Sequence, residues 1–236
     1  MPILIPAEST EDWRKLLRDP VKHWRHGYSA KSLADHWQDE DGFPADVRQL
    51  FESASVPGVN DAEMLLGIPE HPTELPGGGY PSYTDLFVLA SCSDGLITMA
   101  VEGKVRETFG DIVGKWLHQD EHEANRRTRL DGLCHILGID VDDALDLRYQ
   151  LIHRTAAALI EADRFSASTA VMLVHSFSPE PEGFGDYVAF GTAMGVSVES
   201  GQLVDVGMRS GRRLLLGWLT SPVREDSRAA EEATCQ

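Results

Sequence analysis

The chain has 236 residues, 42% of them hydrophobic, and a formal net charge of −17. This length and apolar content predict one α/β domain with helical additions. No stretch approaches the roughly 20 apolar residues of a membrane span, and no signal-peptide pattern is visible. The three cysteines have neither the spacing of a disulfide framework nor that of a metal site, which favours a reducing, cytoplasmic location. The acidity argues against a general affinity for polyanions.

The first part of the chain, residues 1–55, predicts an N-terminal helical extension of two or three helices. Ser9 is suited to cap the first helix, whose apolar residues include Trp13 and Leu16, and Pro20 ends or bends it. Basic residues also concentrate in this region, namely Arg14, Lys15, Arg18, Lys22, Arg25 and Lys31.

The segment Asn60–Gly67 predicts a short helix that begins at an asparagine or aspartate cap and ends at a glycine. Glu63 stands three residues after Asn60, which is typical of a capping box. Three glycines at positions 77–79 would let the backbone approach a ligand closely. A phosphate-cradling P-loop is excluded, because no lysine-serine or lysine-threonine pair follows these glycines.

Two runs rich in strand-forming residues, Leu86–Ala90 and Leu96–Val101, flank the cluster Ser93–Gly95. A serine-aspartate-glycine cluster between two such runs predicts a β-hairpin. The loop consists either of the first two residues of the cluster or of the last two, and this choice sets the register of the two strands.

Three charged residues lie at the open end of this hairpin. With the first loop, Asp85 is directly opposite Glu102, and with the second it is opposite Lys104. Because side chains alternate along a strand, Glu102 and Lys104 share a face, and cross-strand neighbours on that face are about 5 Å apart. Either register therefore brings the three side chains together.

Two carboxylates on rigid strands are suited to bind Mg²⁺, which prefers hard oxygen ligands. A bound metal polarises a phosphoryl oxygen, and a lysine ammonium beside it orients water or neutralises developing charge. This chemistry suits the hydrolysis of phosphodiesters. The alternative interpretation is a cross-strand salt bridge between Lys104 and its acidic neighbours, which needs no function at all.

After the hairpin, the sequence predicts that the second strand continues through residues 105–110 and that a helix begins at Asp111. Its continuation places His118 and His122 four residues apart on one helical face. A zinc protease would need glutamate directly after the first histidine, where Gln119 stands instead. A solvated, charged helix face is the favoured interpretation.

Residues 145–162 form the clearest predicted helix, with one apolar stripe and one polar stripe that includes Gln150 and Arg154. Residues 169–177 are almost continuously apolar, as a strand buried on both faces should be. The rest of the chain predicts a helix at 186–194, a hairpin of 202–208 with 212–220, and a disordered tail at 222–236.

The pattern of Asp85, a hairpin, and then Glu102-Gly-Lys104 resembles the signature of the PD-(D/E)XK, or restriction-endonuclease-like, nuclease superfamily. The resemblance implies a restriction-endonuclease-like α/β core in residues 56–221, a mixed sheet with a catalytic hairpin and flanking helices. It also implies that Asp85 and Glu102 bind the metal and that Lys104 is the catalytic lysine. The proline that usually precedes the first acid is replaced by Thr84.

The resemblance extends to residues outside the hairpin. Superfamily members often carry a further glutamate near the metal on the preceding helix, which makes Glu63 a candidate ligand beside its capping role. A helix after the hairpin lends polar side chains to the site, so that Gln150 and Arg154 become candidates for contacts with metal-bound water and phosphate. Ser82, which opens the first strand, is a further candidate for substrate binding.

The function expected from these residues is the metal-dependent hydrolysis of nucleic acid, most simply DNA, with Mg²⁺ or Mn²⁺ as cofactor. A homodimer would be needed for concerted cleavage of both strands. Two alternatives stay open, a non-catalytic binding or assembly module of the same fold and an unrelated α/β protein. The acidic charge favours the alternatives, unless local basic clusters converge near Asp85; the clusters are those in residues 14–31, Arg126, Arg127 and Arg129, and Arg209, Arg212 and Arg213.

Overall fold

The computed structural model describes residues 7–119, 122–180 and 182–224. The described chain forms an α/β fold with a mixed sheet of six strands, flanked by helices on both faces. The strands are β1 (Glu63–Thr73), β2 (Ser82–Cys92), β3 (Gly95–Lys104), β4 (Thr169–Ser176), β5 (Gln202–Arg209) and β6 (Arg212–Thr220).

Four helices precede the sheet and five lie between or beside its later strands, within the described part of the chain. None of them has the length and apolar character needed to cross a membrane. They are α1 (Thr10–Leu16), α2 (Pro20–His23), α3 (Ser29–Trp37), α4 (Ala45–Glu52), α5 (Val113–Leu117), α6 (Glu123–Leu137), α7 (Val141–Ala144), α8 (Tyr149–Arg164) and α9 (Phe184–Ala193).

The strand order in the sheet is β1-β2-β3-β4-β6-β5. The first three strands form an antiparallel meander, since each pairs with the next along the chain. Helices α5 to α8 then connect β3 to β4, which runs parallel to it, and β6 runs parallel to β4. Strand β5 pairs antiparallel with β6 and forms the second edge.

Alternating side chains of the central strands contribute to two separate cores. Ala100 and Met172 face the core built by α6, α8 and α9. Val101 and Val171 face the opposite core, built by α1, α3 and α4. All eight residues of β4 are buried, as the continuous apolar run at 169–177 predicted.

The helix predicted for Asn60–Gly67 is wrong, because the edge strand β1 begins at Glu63. Exposed and half-buried residues alternate from Glu63 to Ile68, which is the period of a strand with one solvated face. Leu65 is more than half exposed on that face. Pairing with β2 outweighs the capping signals of this short segment.

The prediction that the second hairpin strand continues through residues 105–110 is also wrong, because β3 ends at Lys104. The carboxylate of Glu107 accepts hydrogen bonds from the backbone N–H groups of Val105 (2.8 Å) and Arg106 (3.1 Å). It also accepts one from the N–H of Ser29 at 3.2 Å, which ties the chain to α3. These hydrogen bonds take the place of the backbone pairing that a longer β3 would have formed with its neighbouring strands.

The long predicted helix at 145–162 corresponds to α8, but it begins four residues later, at Tyr149. The carbonyl oxygens of Leu145 and Leu147 accept hydrogen bonds from Gly114 and Val113 (both 2.8 Å), which holds the preceding segment against α5. The helix predicted from Asp111 is shorter as well. It ends at Leu117, and α6 begins after His122, so the two histidines of the segment belong to no common helix.

The later predictions agree with the structure, since α9 lies at the predicted helix and β5 with β6 forms the predicted second hairpin. At the N-terminus, Ser9 caps α1 with a capping box completed by Asp12. The predicted division at residue 55 stays a prediction, although α1, α3 and α4 share a core with the sheet. The predicted disordered tail lies outside the described residues from position 225 onward.

Candidate active site

The hairpin turn sets the geometry of the candidate site. Cys92 pairs with Gly95 and Leu86 pairs with Val101, so the loop consists of Ser93 and Asp94. Continuing this register by one residue places Asp85 directly opposite Glu102. The first of the two predicted registers is therefore present, and the pairing of Asp85 with Lys104 is excluded.

Asp85 lies where the hydrogen-bonded ladder between β2 and β3 ends. Its carboxylate oxygen Oδ2 accepts a hydrogen bond from the backbone N–H of Gly103 at 3.0 Å, in place of a backbone carbonyl. The side chain keeps 22% of its surface exposed. Burial and the nearby charge of Glu102 raise the pKa of Asp85 well above its usual range.

Glu102 is 2% exposed and receives donors at both of its carboxylate oxygens. Lys104 Nζ (2.8 Å) and Gln150 Nε2 (2.7 Å) donate to Oε1. Arg154 Nε donates to Oε2 at 2.6 Å. Burial alone would raise the pKa of Glu102, but the charges of Lys104 and Arg154 outweigh it and lower the pKa.

Helix α8 supplies the polar side chains that complete this cluster. Gln150 and Arg154 are four residues apart, so they project from one face of the helix. Arg154 is 7% exposed and extends from Glu102 to Ser82, to whose hydroxyl it donates a hydrogen bond of 2.6 Å. Its Nη2 lies 3.5 Å from Asp85 Oδ1. Five predicted site residues, Ser82, Asp85, Glu102, Lys104 and Gln150, thus surround one guanidinium or contact its partners.

The third predicted acid, Glu63, lies outside this cluster. It pairs with Ser91, six residues along β2 from Asp85. At about 3.3 Å per residue, that separation is about 20 Å. The role predicted for Glu63 as a metal ligand is therefore wrong, because it depended on a helix that the chain does not form.

Glu70 is the acid of β1 that does face the site, and sequence reasoning missed it. Pro69 pairs with Leu86 and His71 pairs with Thr84, so Glu70 is opposite Asp85. Its φ of 50° is unusual for a residue other than glycine and marks an irregular point in the strand. Burial and the charge of Asp85 raise the pKa of Glu70.

A small cavity of about 10 Å³ lies against Glu70 and Asp85. Trp13, Leu17 and Trp24 of the N-terminal helical region line its other side. A volume of this size holds about one particle as large as a water molecule. Glu70 and Asp85 are the charged residues of its lining, and the other lining residues are apolar or aromatic.

A larger cleft of about 350 Å³ opens on the opposite side of the cluster. Its lining includes Lys104, Gln150, Tyr149 and Trp116. Lys104 Nζ lies 4.9 Å from the ring centroid of Phe109 and so faces this cleft across an aromatic surface. The cleft would give a substrate access to the lysine.

The basic clusters are divided between the cleft and distant surfaces. The guanidinium of Arg126 lies 5.6 Å from the Trp116 ring centroid, and Arg129 donates to the carbonyl of Tyr80 at 3.0 Å. The basic residues of the last hairpin instead pair with nearby acids, Arg212 with Asp163 and Arg213 with Asp205. Of these two clusters, the one at 126–129 therefore contributes positive charge beside the cleft.

A second group of metal-binding residue types lies on the other face of the sheet, where His36, Asp46 and His175 place one ligand atom each within 4.8 Å of the others. The indole N–H of Trp37 donates to His175 Nδ1 at 3.1 Å. His175 therefore carries its proton on Nε2, which lies 2.8 Å from the hydroxyl of Ser221. Because neither nitrogen of His175 is an open ligand, we assign this group to structural hydrogen bonding.

One family model matches the chain, a domain of unknown function designated DUF6946, over residues 6–223. No curated protein and no solved structure matches the chain.

Proposed function

The chain belongs to the DUF6946 family, and we propose that this member hydrolyses phosphodiester bonds of nucleic acid with the help of a divalent metal ion. The observation that carries the proposal is the convergence of Asp85, Glu102 and Lys104 on one buried cluster at the open end of the hairpin. The alternative of a simple cross-strand salt bridge accounts less well for Glu70 and the small cavity beside it.

The order of the elements supports a restriction-endonuclease-like core. An antiparallel meander of β1, β2 and β3 is followed by helices and by β4, which runs parallel to β3. The resemblance noted in the sequence implies a mixed sheet with a catalytic hairpin and flanking helices. The hairpin of β2 and β3, which carries Asp85 on one strand and Glu102 with Lys104 on the other, agrees with it.

Asp85 and Glu70 fit a Mg²⁺ or Mn²⁺ ion better than Glu102 does. Both face the small cavity, and hard carboxylate oxygens are the ligands these ions prefer. Both oxygens of Glu102 already accept hydrogen bonds, so Glu102 would join them only after a donor withdraws. When bound, the ion would polarise a phosphoryl oxygen and lower the pKa of a water ligand.

The remaining residues of the site would act directly on the substrate or hold the acids in place. Lys104, fixed between Glu102 Oε1 and Gln150 Oε1 (3.0 Å), directs its ammonium group toward the cleft. There it would neutralise the charge that develops on the phosphate oxygens. Arg154 holds Glu102 and Ser82 in place. The positive charge of Arg126 and Arg129 would attract an approaching polyanion.

We extend this proposal to DNA as the substrate and to the cytoplasm as the location, which agrees with the few cysteines of the chain. A homodimer would place two sites on the two strands of a duplex. The experiment that tests the proposal is calorimetric titration of Mg²⁺ and Mn²⁺, followed by cleavage assays on plasmid and single-stranded DNA.

Three proteins are compared in this experiment, the wild type, Asp85→Asn and the matched control Glu63→Gln. The proposal expects the wild type and the control to bind metal and cleave DNA, and the Asp85 variant to lose both properties. A wild-type protein that neither binds metal at millimolar concentration nor cleaves either substrate would refute it.

One observation favours a second candidate, a non-catalytic binding module of the same fold. The carboxylate of Glu102 is saturated by Lys104, Gln150 and Arg154, so the cluster is stable without a metal. This candidate predicts DNA or protein binding that is unaffected by chelators and by Asp85→Asn.

A further inference from the structure

A chain of hydrogen bonds links Arg154, Ser82 and His153 beside the cleft. Arg154 Nη1 lies 2.6 Å from Ser82 Oγ, and His153 Nδ1 lies 3.0 Å from the same oxygen. A guanidinium can only donate, so Ser82 accepts from Arg154. Ser82 is 3% exposed, so the proton of its hydroxyl needs an acceptor.

His153 Nδ1 is the acceptor that the described residues offer to this proton. If His153 donated instead, the hydroxyl proton of Ser82 would be buried without a partner, which is costly. Ser82 therefore donates to Nδ1, and the single proton of the neutral imidazole is on Nε2. Burial and the charge of Arg154 lower the pKa of His153, which keeps the ring neutral.

The Nε2–H group of His153 faces the cleft whose lining includes Lys104. His153 belongs to the lining of that cleft. Nε2 makes no hydrogen bond to any described residue, and it is not among the buried atoms that lack a partner, so it is open to the cleft. The ring of Tyr149, at a centroid distance of 4.8 Å, packs beside the imidazole and fixes its orientation.

We propose that His153 is a substrate-binding residue that donates a hydrogen bond from Nε2–H to a phosphate oxygen held beside Lys104. This inference rests on the proposed function and adds to it a residue outside the sequence motif. A neutral donor and an ammonium group on one wall suit an anionic oxygen. Asp111, the acid of the cleft lining, is already paired with Lys115 at 2.5 Å.

Ser82 is then a positioning residue that acts through His153. Because Arg154 donates a hydrogen bond to the oxygen of Ser82, the hydroxyl of Ser82 donates its own proton to Nδ1 of His153. This bond selects the tautomer of His153 that carries its proton on Nε2. Replacing Ser82 with alanine would remove this selection while leaving the imidazole in the cleft.

The first test is nitrogen NMR of the ¹⁵N-labelled full chain, with His153 assigned by comparison with His153→Gln. We expect the spectrum of the wild type to show a neutral ring protonated at Nε2. Thymidine 3′,5′-bisphosphate, added without metal, should shift the Nε2 and its proton resonances. Ser82→Ala should change the tautomer signature, which a merely structural role for Ser82 would not do. A ring protonated at Nδ1, or an Nε2 signal that the bisphosphate leaves unchanged, would overturn the inference.

The second test is DNA cleavage by His153→Leu and His153→Gln, with the exposed His135→Leu as matched control. Loss of a hydrogen bond to a charged group lowers the rate by about 10-fold to about 150-fold, so we expect this decrease in kcat/KM for the leucine variant. Glutamine offers an N–H donor and should restore part of the rate, and the control should match the wild type.

The two failures are distinguishable. If the wild type cleaves DNA and His153→Leu, folded by its thermal midpoint, does so equally well, the inference fails and the nuclease function stands. If the wild type cleaves nothing, the proposed function fails, and the NMR titration with the bisphosphate alone decides whether His153 binds phosphate.

Discussion

Arg154 Nε donates a 2.6 Å hydrogen bond to Glu102 Oε2, and both side chains are almost entirely buried. The pair joins α8 to β3 at the centre of the candidate site. Removing Arg154 leaves Glu102 with Lys104 as its remaining cationic partner, and a buried ion pair that loses a member is strongly destabilised. The ion pair therefore contributes to stability as well as to any catalysis.

We predict that Arg154→Met lowers the free energy of unfolding by about 3–5 kcal/mol. Methionine keeps much of the apolar volume of the arginine stem but removes the hydrogen bonds that the guanidinium donates to Glu102 and Ser82. The measurement is urea denaturation followed by circular dichroism. Adding Glu102→Gln to the same chain should not recover the loss, because the buried ammonium group of Lys104 then loses its carboxylate partner.

Arg164→Met is the matched control for this prediction. Arg164 lies on the same helix and pairs with Glu161 at 3.3 Å, but its side chain is 47% exposed. An ion pair at such an exposed site contributes about 0–1 kcal/mol. Equal effects of the two arginine substitutions would contradict the special position of Arg154.

Metal binding at Glu70 and Asp85 should also appear as a change in stability. At a metal concentration 100-fold above the dissociation constant, a ligand that binds only the folded state stabilises it by about 2.7 kcal/mol. We expect Mn²⁺ to raise the thermal midpoint of the wild type and EDTA to reverse the rise. Glu70→Gln should abolish the metal-induced shift, whatever its effect on the metal-free protein.

Glu63→Gln serves as the control, because Glu63 is an exposed acid of the same strand at the distant end. It should keep the full shift. A shift that survives in Glu70→Gln and disappears in Glu63→Gln would mean that the ion binds elsewhere on β1.

The central part of the fold could be predicted because its signals are local. The cluster Ser93–Gly95 predicted the hairpin but left two registers open, of which the structure has the one with Ser93 and Asp94 in the loop. The apolar run at 169–177 identifies a strand buried on both faces. The periodic pattern of α8 placed Gln150 and Arg154 on one polar stripe, and the resemblance noted in the sequence made them candidates for the site.

The edge of the sheet could not be predicted in the same way. Strand β1 has polar, apolar and proline residues in a pattern that its own sequence does not settle, and only pairing with β2 fixes its conformation. The wrongly predicted helix made Glu63 a candidate metal ligand. Without the strand β1, nothing in the sequence placed Glu70 opposite Asp85. The group around His175 was equally inaccessible, because His36, Asp46 and Ser221 approach it only through the packing of α3 and α4 on the sheet.

The hydrogen bond from Trp37 to His175 leads to a further prediction. Trp37→Phe keeps an aromatic ring in the core but removes the donor to His175 Nδ1, an imidazole whose pKa burial lowers to about 3. The buried nitrogen is then unsatisfied, so the free energy of unfolding should fall by about 1–3 kcal/mol. Urea denaturation at neutral pH measures this change.

Trp24→Phe is the control for this substitution. The indole of Trp24 also donates a hydrogen bond, to Glu11 at 3.1 Å, but at an exposed site where water replaces the lost partner. Its effect should stay below about 0.5 kcal/mol. Similar losses in both variants would indicate that ring volume, and not the donor to His175, determines the result.

Glu161 provides a prediction for the dependence of stability on pH. Its carboxylate is 2% exposed and lies near His71 Nε2 (3.4 Å), Thr73 Oγ1 (3.0 Å) and Arg164 Nη1 (3.3 Å). Burial alone would raise the pKa of Glu161, but these partners, His71 first, outweigh it and lower the pKa. The folded protein thus holds the charged form more strongly than the unfolded chain does.

A folded-state pKa below the unfolded value, about 4.3 for glutamate, contributes stability that is fully present above that value and is lost as the pH falls through the folded pKa. Glu161→Gln should therefore lower the free energy of unfolding at pH 7 by about 1–3 kcal/mol. The difference from the wild type should begin to shrink as the pH falls below the unfolded value, and it should vanish below the folded pKa, where both side chains are neutral. Urea denaturation between pH 3 and pH 7, with the exposed Glu74→Gln as control, measures both curves. If the wild-type and Glu161→Gln curves stay parallel across this range, the charge of Glu161 contributes nothing to folding, and its contacts act only as neutral hydrogen bonds.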